Sequence, residues 1–179
     1  YSSLSSPHPV YIGDASDREH CERTKEAIEK LKDQITIHYY QWPEHNDRQT
    51  MNRLGDVAKE SYCAYNGDDD FLIPNSLSKC AEFLERNPDY KTAQGKAVLF
   101  ELKETGPIGT VSSVSKYRSN NKAEEDSGVD RILNFATNYW VSEPSVHRRN
   151  EFVEDSSVAA EISDRSFGEI LRCFTFITK

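Results

Sequence analysis

Cysteine is sparse and scattered in this chain. Cys21, Cys63, Cys80 and Cys173 form no C-x-x-C pair, so neither a zinc ribbon nor a disulfide frame organises the fold, and reduced thiols of a cytoplasmic protein are expected. His8, His20, His38, His45 and His147 show no H-E-x-x-H or other zinc spacing and read as surface or packing residues. No Lys/Arg-dense run is present, and 22 basic residues face 30 acidic ones for a net charge of -8. That balance argues against a nucleic-acid partner. No apolar run nears the length of a membrane span, and the visible N-terminus has no signal-peptide pattern. Internal repeats and low-complexity tracts are absent too. Mean hydropathy is low, at -0.74, yet an aromatic fraction of 11% separates the chain from disordered compositions.

At 179 residues, the chain is long enough for one domain with a substantial core. Pro9–Gly13 is a short apolar strand ending at Asp14. Ser16 and Glu19 have capping-box spacing, and Cys21, Thr24, Ile28 and Leu31 place a helix over about 17–33. The β-rich run Ile35–Tyr40 is a second strand. After a loop containing Trp42-Pro43, Met51, Leu54 and Val57 mark a helix over about 48–60. A third strand follows at Tyr62–Tyr65. Leu77, Cys80 and Leu84 then mark a helix closed by Asn87-Pro88. Strand and helix alternating three times is the signature of a parallel sheet in an α/β domain.

The rhythm then changes. Lys96–Leu102 is a strong strand, Gly106–Gly109 a turn and Thr110–Tyr117 a partner strand. Ser119–Lys122 is a loop, Ser127 and Asp130 cap a helix running to about Asn138, and Tyr139–Val146 is ambiguous between strand and loop. Glu151–Glu161 is helical. In the last helix Ser166 and Glu169 have capping-box spacing, and Phe167, Ile170, Leu171 and Phe174 share a face.

The most chemically loaded stretch is YCAYNGDDDFLIP, Tyr62–Pro74. A buried strand ends here in an acidic turn, Asp68, Asp69 and Asp70, and hands over to a helix. Ligands of open α/β sheets gather outside the carboxyl ends of strands. Carboxylates there suit a hard cation such as Mg²⁺, which keeps room for substrate phosphates. Three adjacent aspartates repel one another, a cost that a bound cation relieves. The plainer reading is a solvated acidic turn. An EF-hand is excluded, because the sixth position from Asn66 is Phe71 where Gly is needed and the twelfth is Leu77 where Glu is needed. Two other carboxylates stand out. Asp14 ends the first strand, either as a ligand contact or as a loop cap. Asp164 precedes the last helix, either as a general base or as the residue that starts the helix.

These motifs, above all DDDFLIPNSL followed by FLERNPDY, resemble the GT-A glycosyltransferases of the family-2 type found in bacterial surface-polysaccharide synthesis. WVSEPSVHRR and DRSFGEIL near the end share the likeness. The resemblance implies a Rossmann-like, mostly parallel α/β sheet flanked by helices. It also implies a single domain over 1–179, with a nucleotide-sugar-binding half at 1–92 and an acceptor-side half at 93–179. The chain opens without Met inside a polar loop, and the family begins one strand and one helix earlier, so an N-terminally truncated fragment is expected. The resemblance further implies that Asp14 contacts the nucleoside, and that Arg53 faces the nucleotide. Asp68 would serve the ribose side, Asp68 and Asp70 would hold Mn²⁺ or Mg²⁺ on the diphosphate, Asp69 would share either task in binding the nucleotide-sugar, and Asp164 would activate the acceptor. The partners implied are a nucleoside-diphosphate sugar and a saccharide or lipid-linked acceptor. The implied reaction inverts the anomeric centre, in the cytoplasm or at the inner face of the membrane.

Three alternatives stay open on the residues alone. A sugar nucleotidyltransferase uses a similar fold and metal, with a Gly-rich and basic early loop that the visible sequence does not contain. A D-x-D-x-T phosphatase wants Thr where Leu72 stands. The third is a non-catalytic domain that binds a nucleotide or a partner protein.

Overall fold

A computed structural model describes residues 6–67, 70–104, 109–117 and 122–179, and only the backbone at Arg165. Its elements, in chain order, are β1 (Val10–Asp14), α1 (Arg18–Glu29), β2 (Ile37–Gln41), α2 (Asp47–Val57), β3 (Tyr62–Ala64), α3 (Pro74–Arg86), β4 (Thr92–Ala93), β5 (Val98–Leu102), β6 (Val111–Lys116), α4 (Gly128–Thr137), β7 (Val146–Arg148), α5 (Arg149–Ser157) and α6 (Arg165–Thr178).

Helix starts follow local side-chain chemistry. Asn46 and Gln49 form a reciprocal capping box on α2, and Ser127 accepts from the Asp130 amide to open α4. Pro74 sits in the first turn of α3, where its missing N–H costs nothing. Two expected caps move. Asp17 rather than Ser16 caps α1. Asp164 rather than Ser166 caps α6, so Glu169 is not the partner of a capping serine. In both cases a carboxylate just upstream accepts an amide hydrogen three residues on.

β1 and β2 pair in parallel, Val10 opposite Ile37 through Asp14 opposite Gln41. One face carries Asp14 and Tyr39 toward Cys21 of α1. The other meets α2 so closely that a Cβ on Gly13 would stand 2.4 Å from Thr50 Cγ2 and 3.3 Å from Leu54 Cγ. This βαβ unit matches the expectation from sequence, but the parallel sheet ends there. β3 does not join β1 among the described residues. It pairs antiparallel with β7, which also pairs antiparallel with β4, giving the order β3-β7-β4. β3 is three residues long and half-buried, not the buried strand expected. Its hydrogen-bonding partner comes from Val146–Arg148, at the edge of the stretch whose pattern was ambiguous. The expected hairpin is present as β5–β6, with a register shift between Glu101 and Leu102. The single mostly parallel sheet is therefore corrected to three small sheets among the described residues.

The core gathers around α6. Phe135, Trp140, Cys173 and Ile177 form one cluster, and Met51, Phe152 and Phe176 another, with Cys63 and Tyr65 packed on the second. His147, on the central strand β7, packs tilted against Phe176 with ring centroids 4.5 Å apart and meets Phe152 edge-on at 5.2 Å. Arg172 Nε donates to Glu143 Oε1 at 2.6 Å within the same buried region.

Candidate functional site

Asp14 lies where β1 stops. Its Oδ1 accepts from the Ser16 amide at 2.9 Å and its Oδ2 from the Tyr39 hydroxyl at 2.8 Å. The Trp42 amide donates to the Asp14 carbonyl at 2.8 Å, so the ends of β1 and β2 are tied together. Burial opposes the charge on Asp14, but the Ser16 amide and the Tyr39 hydroxyl outweigh it and hold the carboxyl below its ordinary range. Burial, then the bond to Asp14, pushes the Tyr39 phenol up. A carboxylate ionised and fixed in this way presents a defined acceptor at the end of β1, with the Ser16 and Cys21 side chains also donating to it. Beside it Tyr40, Trp42 and His45 stack in series, with centroids 5.2 Å and 5.5 Å apart.

Arg53 is exposed on α2. Its neighbour Asn52 is turned to α5, where Oδ1 accepts from Ser156 Oγ at 3.3 Å. The arginine of α2 that is built into the fold is Arg48, at 5% exposure. Its Nη2 donates to the Ser163 carbonyl at 3.1 Å. A Cβ on Gly168 would lie 2.8 Å from its Cδ. Sequence reading missed Arg48; the available signal was Gly168, a glycine inside a strongly periodic helix, which marks the close approach of another group. Through Arg48 and Thr50, two positions apart on α2, the end of β1 and the start of α6 lie on one helical segment.

Asp164 lies at that start. Its Oδ1 accepts from the Phe167 amide at 2.9 Å. It also lines an open cavity of about 410 Å³ together with Glu161, Ile162, Ser163, Phe167 and Leu171. Glu169, one turn on, accepts from the Tyr139 hydroxyl at 2.5 Å.

In the acidic turn, Asp68 and Asp69 lie outside the described residues. The backbone around them is tied by Asn66, whose Nδ2 donates to the Gly67 carbonyl at 2.7 Å and to the Asp70 carbonyl at 3.2 Å. Asp70 is exposed, and among the described residues no hydrogen bond or ion pair engages its carboxylate. A solvated carboxylate is the type of oxygen donor that a hard cation takes. The described residues alone contain no cluster of three potential ligands. The turn leads through Phe71, whose ring lies 5.7 Å from Phe100 of β5, so it abuts the hairpin. No described hydrogen bond or ion pair links Asp70 to Asp14 or to Asp164.

No described helix is long and apolar enough to cross a membrane. No family model matches the chain, and a search of curated proteins finds no match. Among solved structures, the chain is similar in fold to residues 1–349 of Staphylococcus aureus TarS, a wall teichoic acid glycosyltransferase, at 16% identity and a TM-score of 0.59. The likeness covers 99% of this chain and 50% of the TarS chain, so this chain spans half the length of the structure it matches and shares a glycosyltransferase-like fold with it.

Proposed function

We propose that this chain is the sugar-transferring domain of a metal-assisted glycosyltransferase of bacterial surface-polysaccharide synthesis. It would move a sugar from a nucleoside-diphosphate donor to an acceptor hydroxyl. The observation that carries this reading is the fold likeness to TarS over nearly the whole chain. The acidic turn and the two strand- and helix-end carboxylates give that fold a matching chemistry. Asp14, held ionised, would accept from the nucleoside, with Arg53 of α2 on the nucleotide side. Asp68 and Asp70 would hold Mn²⁺ or Mg²⁺, with Asp69 beside them on the ribose side. The cation supplies neutralisation of the charge that grows on the departing diphosphate.

Asp164 would take the acceptor's proton. Its Oδ1 is occupied by the cap, which fixes the carboxylate and leaves Oδ2 for the incoming hydroxyl. The acceptor oxygen forms its bond to the anomeric carbon as the bond to the diphosphate oxygen breaks on the opposite face. That single displacement inverts the centre.

The test is calorimetric titration with UDP, GDP and CDP, each with and without Mn²⁺. Metal-dependent binding that weakens in Asp70→Asn supports the transferase. Metal-independent binding, or none, points to a nucleotide-binding or partner-binding domain and removes this reading.

A further inference from the structure

We propose that the cavity at the start of α6 is a saccharide-binding site in which Phe167 is the stacking platform for a neutral sugar ring. This deepens the proposed function by naming the acceptor as a saccharide at the Asp164 side, and it rests on that reading for its biological role. The cavity volume of about 410 Å³ falls within the range of about 300–1,000 Å³ in which small-ligand sites lie. Its walls have the two-sided character of a sugar. Phe167 is 70% exposed, an aromatic face left in water beside Ile162 and Leu171, which matches the C–H face of a pyranose. Glu161, Asp164 and the Ser163 hydroxyl supply acceptors at the rim for the equatorial hydroxyls.

The platform is not a loose surface residue. The Phe167 amide is fixed by Asp164 Oδ1 at 2.9 Å. The adjoining wall at Ser163 is held from beneath by the buried guanidinium of Arg48, at 3.1 Å. Glu161 and Asp164 bring two negative charges, and no lining residue among the described side chains brings a positive one, which favours a polyhydroxylated neutral ligand over an anionic one.

Ligand-observed saturation-transfer NMR tests this, using methyl β-D-glucoside, methyl β-D-galactoside and N,N′-diacetylchitobiose as probes, without nucleotide or metal. The parent and Phe167→Tyr are expected to transfer saturation to the ring C–H protons of at least one probe. Phe167→Ala is expected to weaken that binding about tenfold, the scale of one aromatic contact. Because Phe167 is largely exposed, the alanine variant is expected to keep the parent's circular dichroism and melting temperature, which are recorded alongside. Equal binding by Phe167→Ala, or no binding of any probe by the parent, overturns the proposal. So does preferential binding of a cationic probe such as spermine. Loss of nucleotide binding with saccharide binding intact would instead remove the transferase reading and leave this site standing.

Discussion

His147 sets an acid limit on this fold, and the size of that limit follows from its surroundings. The imidazole is 1% exposed, packed between Phe152 and Phe176. Its Nε2 has no hydrogen-bond partner among the described residues. Burial is the main cause that lowers its pKa from 6.5 to about 3; a hydrogen bond to the Glu143 backbone works the other way, and the Lys91 charge adds to the lowering. A group whose folded pKa is depressed in this way binds its proton in the unfolded chain first. Its neutral form is therefore fully accommodated above about pH 6.5, and stability falls as the pH drops through the window from 6.5 toward 3. The slope is about 1.4 kcal/mol per pH unit, so pH 5 costs about 2 kcal/mol relative to pH 7. His147→Phe keeps a ring in the same aromatic cluster and has no proton to bind. Urea unfolding followed by circular dichroism, at pH 7, 6 and 5 with micromolar protein and fixed ionic strength, measures the difference between the two chains. Glu143 titrates in the opposite sense. Burial raises its carboxyl despite Arg172, so its contribution grows as pH falls, and the parent-minus-variant difference cancels it. If both chains lose the same stability between pH 7 and pH 5, within about 0.5 kcal/mol, the reasoning about His147 is wrong.

Other outcomes follow from contacts already described. Gly13→Ala forces a methyl toward Thr50 Cγ2, with Trp42 and Leu54 close behind; we expect a loss of about 1–3 kcal/mol, read as an earlier urea midpoint with an unchanged slope. Arg172→Ala leaves Glu143 buried without its partner and is expected to cost about 3–5 kcal/mol. Arg172→Met with Glu143→Leu is expected to recover most of that loss in the same unfolding assay. Asp164→Asn keeps an efficient cap on α6, so its melting temperature should match the parent's; in the full-length enzyme it should abolish sugar transfer while nucleotide binding persists, and normal turnover would refute its role as base.

What the residues revealed before the structure depended on how local the governing interaction was. β1–α1–β2 and the helices α2, α3, α4 and α6 carry their own periodicity and start signals, a side-chain cap or, in α3, a first-turn proline, and they are found close to where the pattern put them. The hairpin β5–β6 was equally plain because its strands are five and six residues long; most of the expected turn at Gly106–Gly109 lies outside the described residues. β3 and β7 were not, since each is three residues long and its place depends on a partner more than eighty residues away. The capping shifts at Asp17 and Asp164 came from choosing a serine over a carboxylate one or two positions away, a difference of a few tenths of a kcal/mol that sequence alone does not rank. Among the candidate residues, the places of Asp14 at the end of β1 and Asp164 before α6 were legible, because carboxylates at element ends are conspicuous. Arg48 was not, because nothing local distinguishes a buried arginine from a solvated one. Phe167 read as part of an apolar helical face; only the fold shows that this face opens to water at its first turn.

The division of the strands into separate small sheets bears on how the protein behaves as a solute. Among the described residues, β1 has β2 on one side only, and β3 has β7 on one side only. Each therefore offers a row of backbone donors and acceptors, and the hairpin adds further edges whose apolar side chains Val98, Phe100 and Val114 are open to solvent. Such edges invite strand pairing between molecules. At neutral pH the net charge of -8 keeps the molecules apart. That protection disappears near the isoelectric pH of about 5.2, so concentrated stocks belong well above it, and self-association should rise with salt as well as with acid.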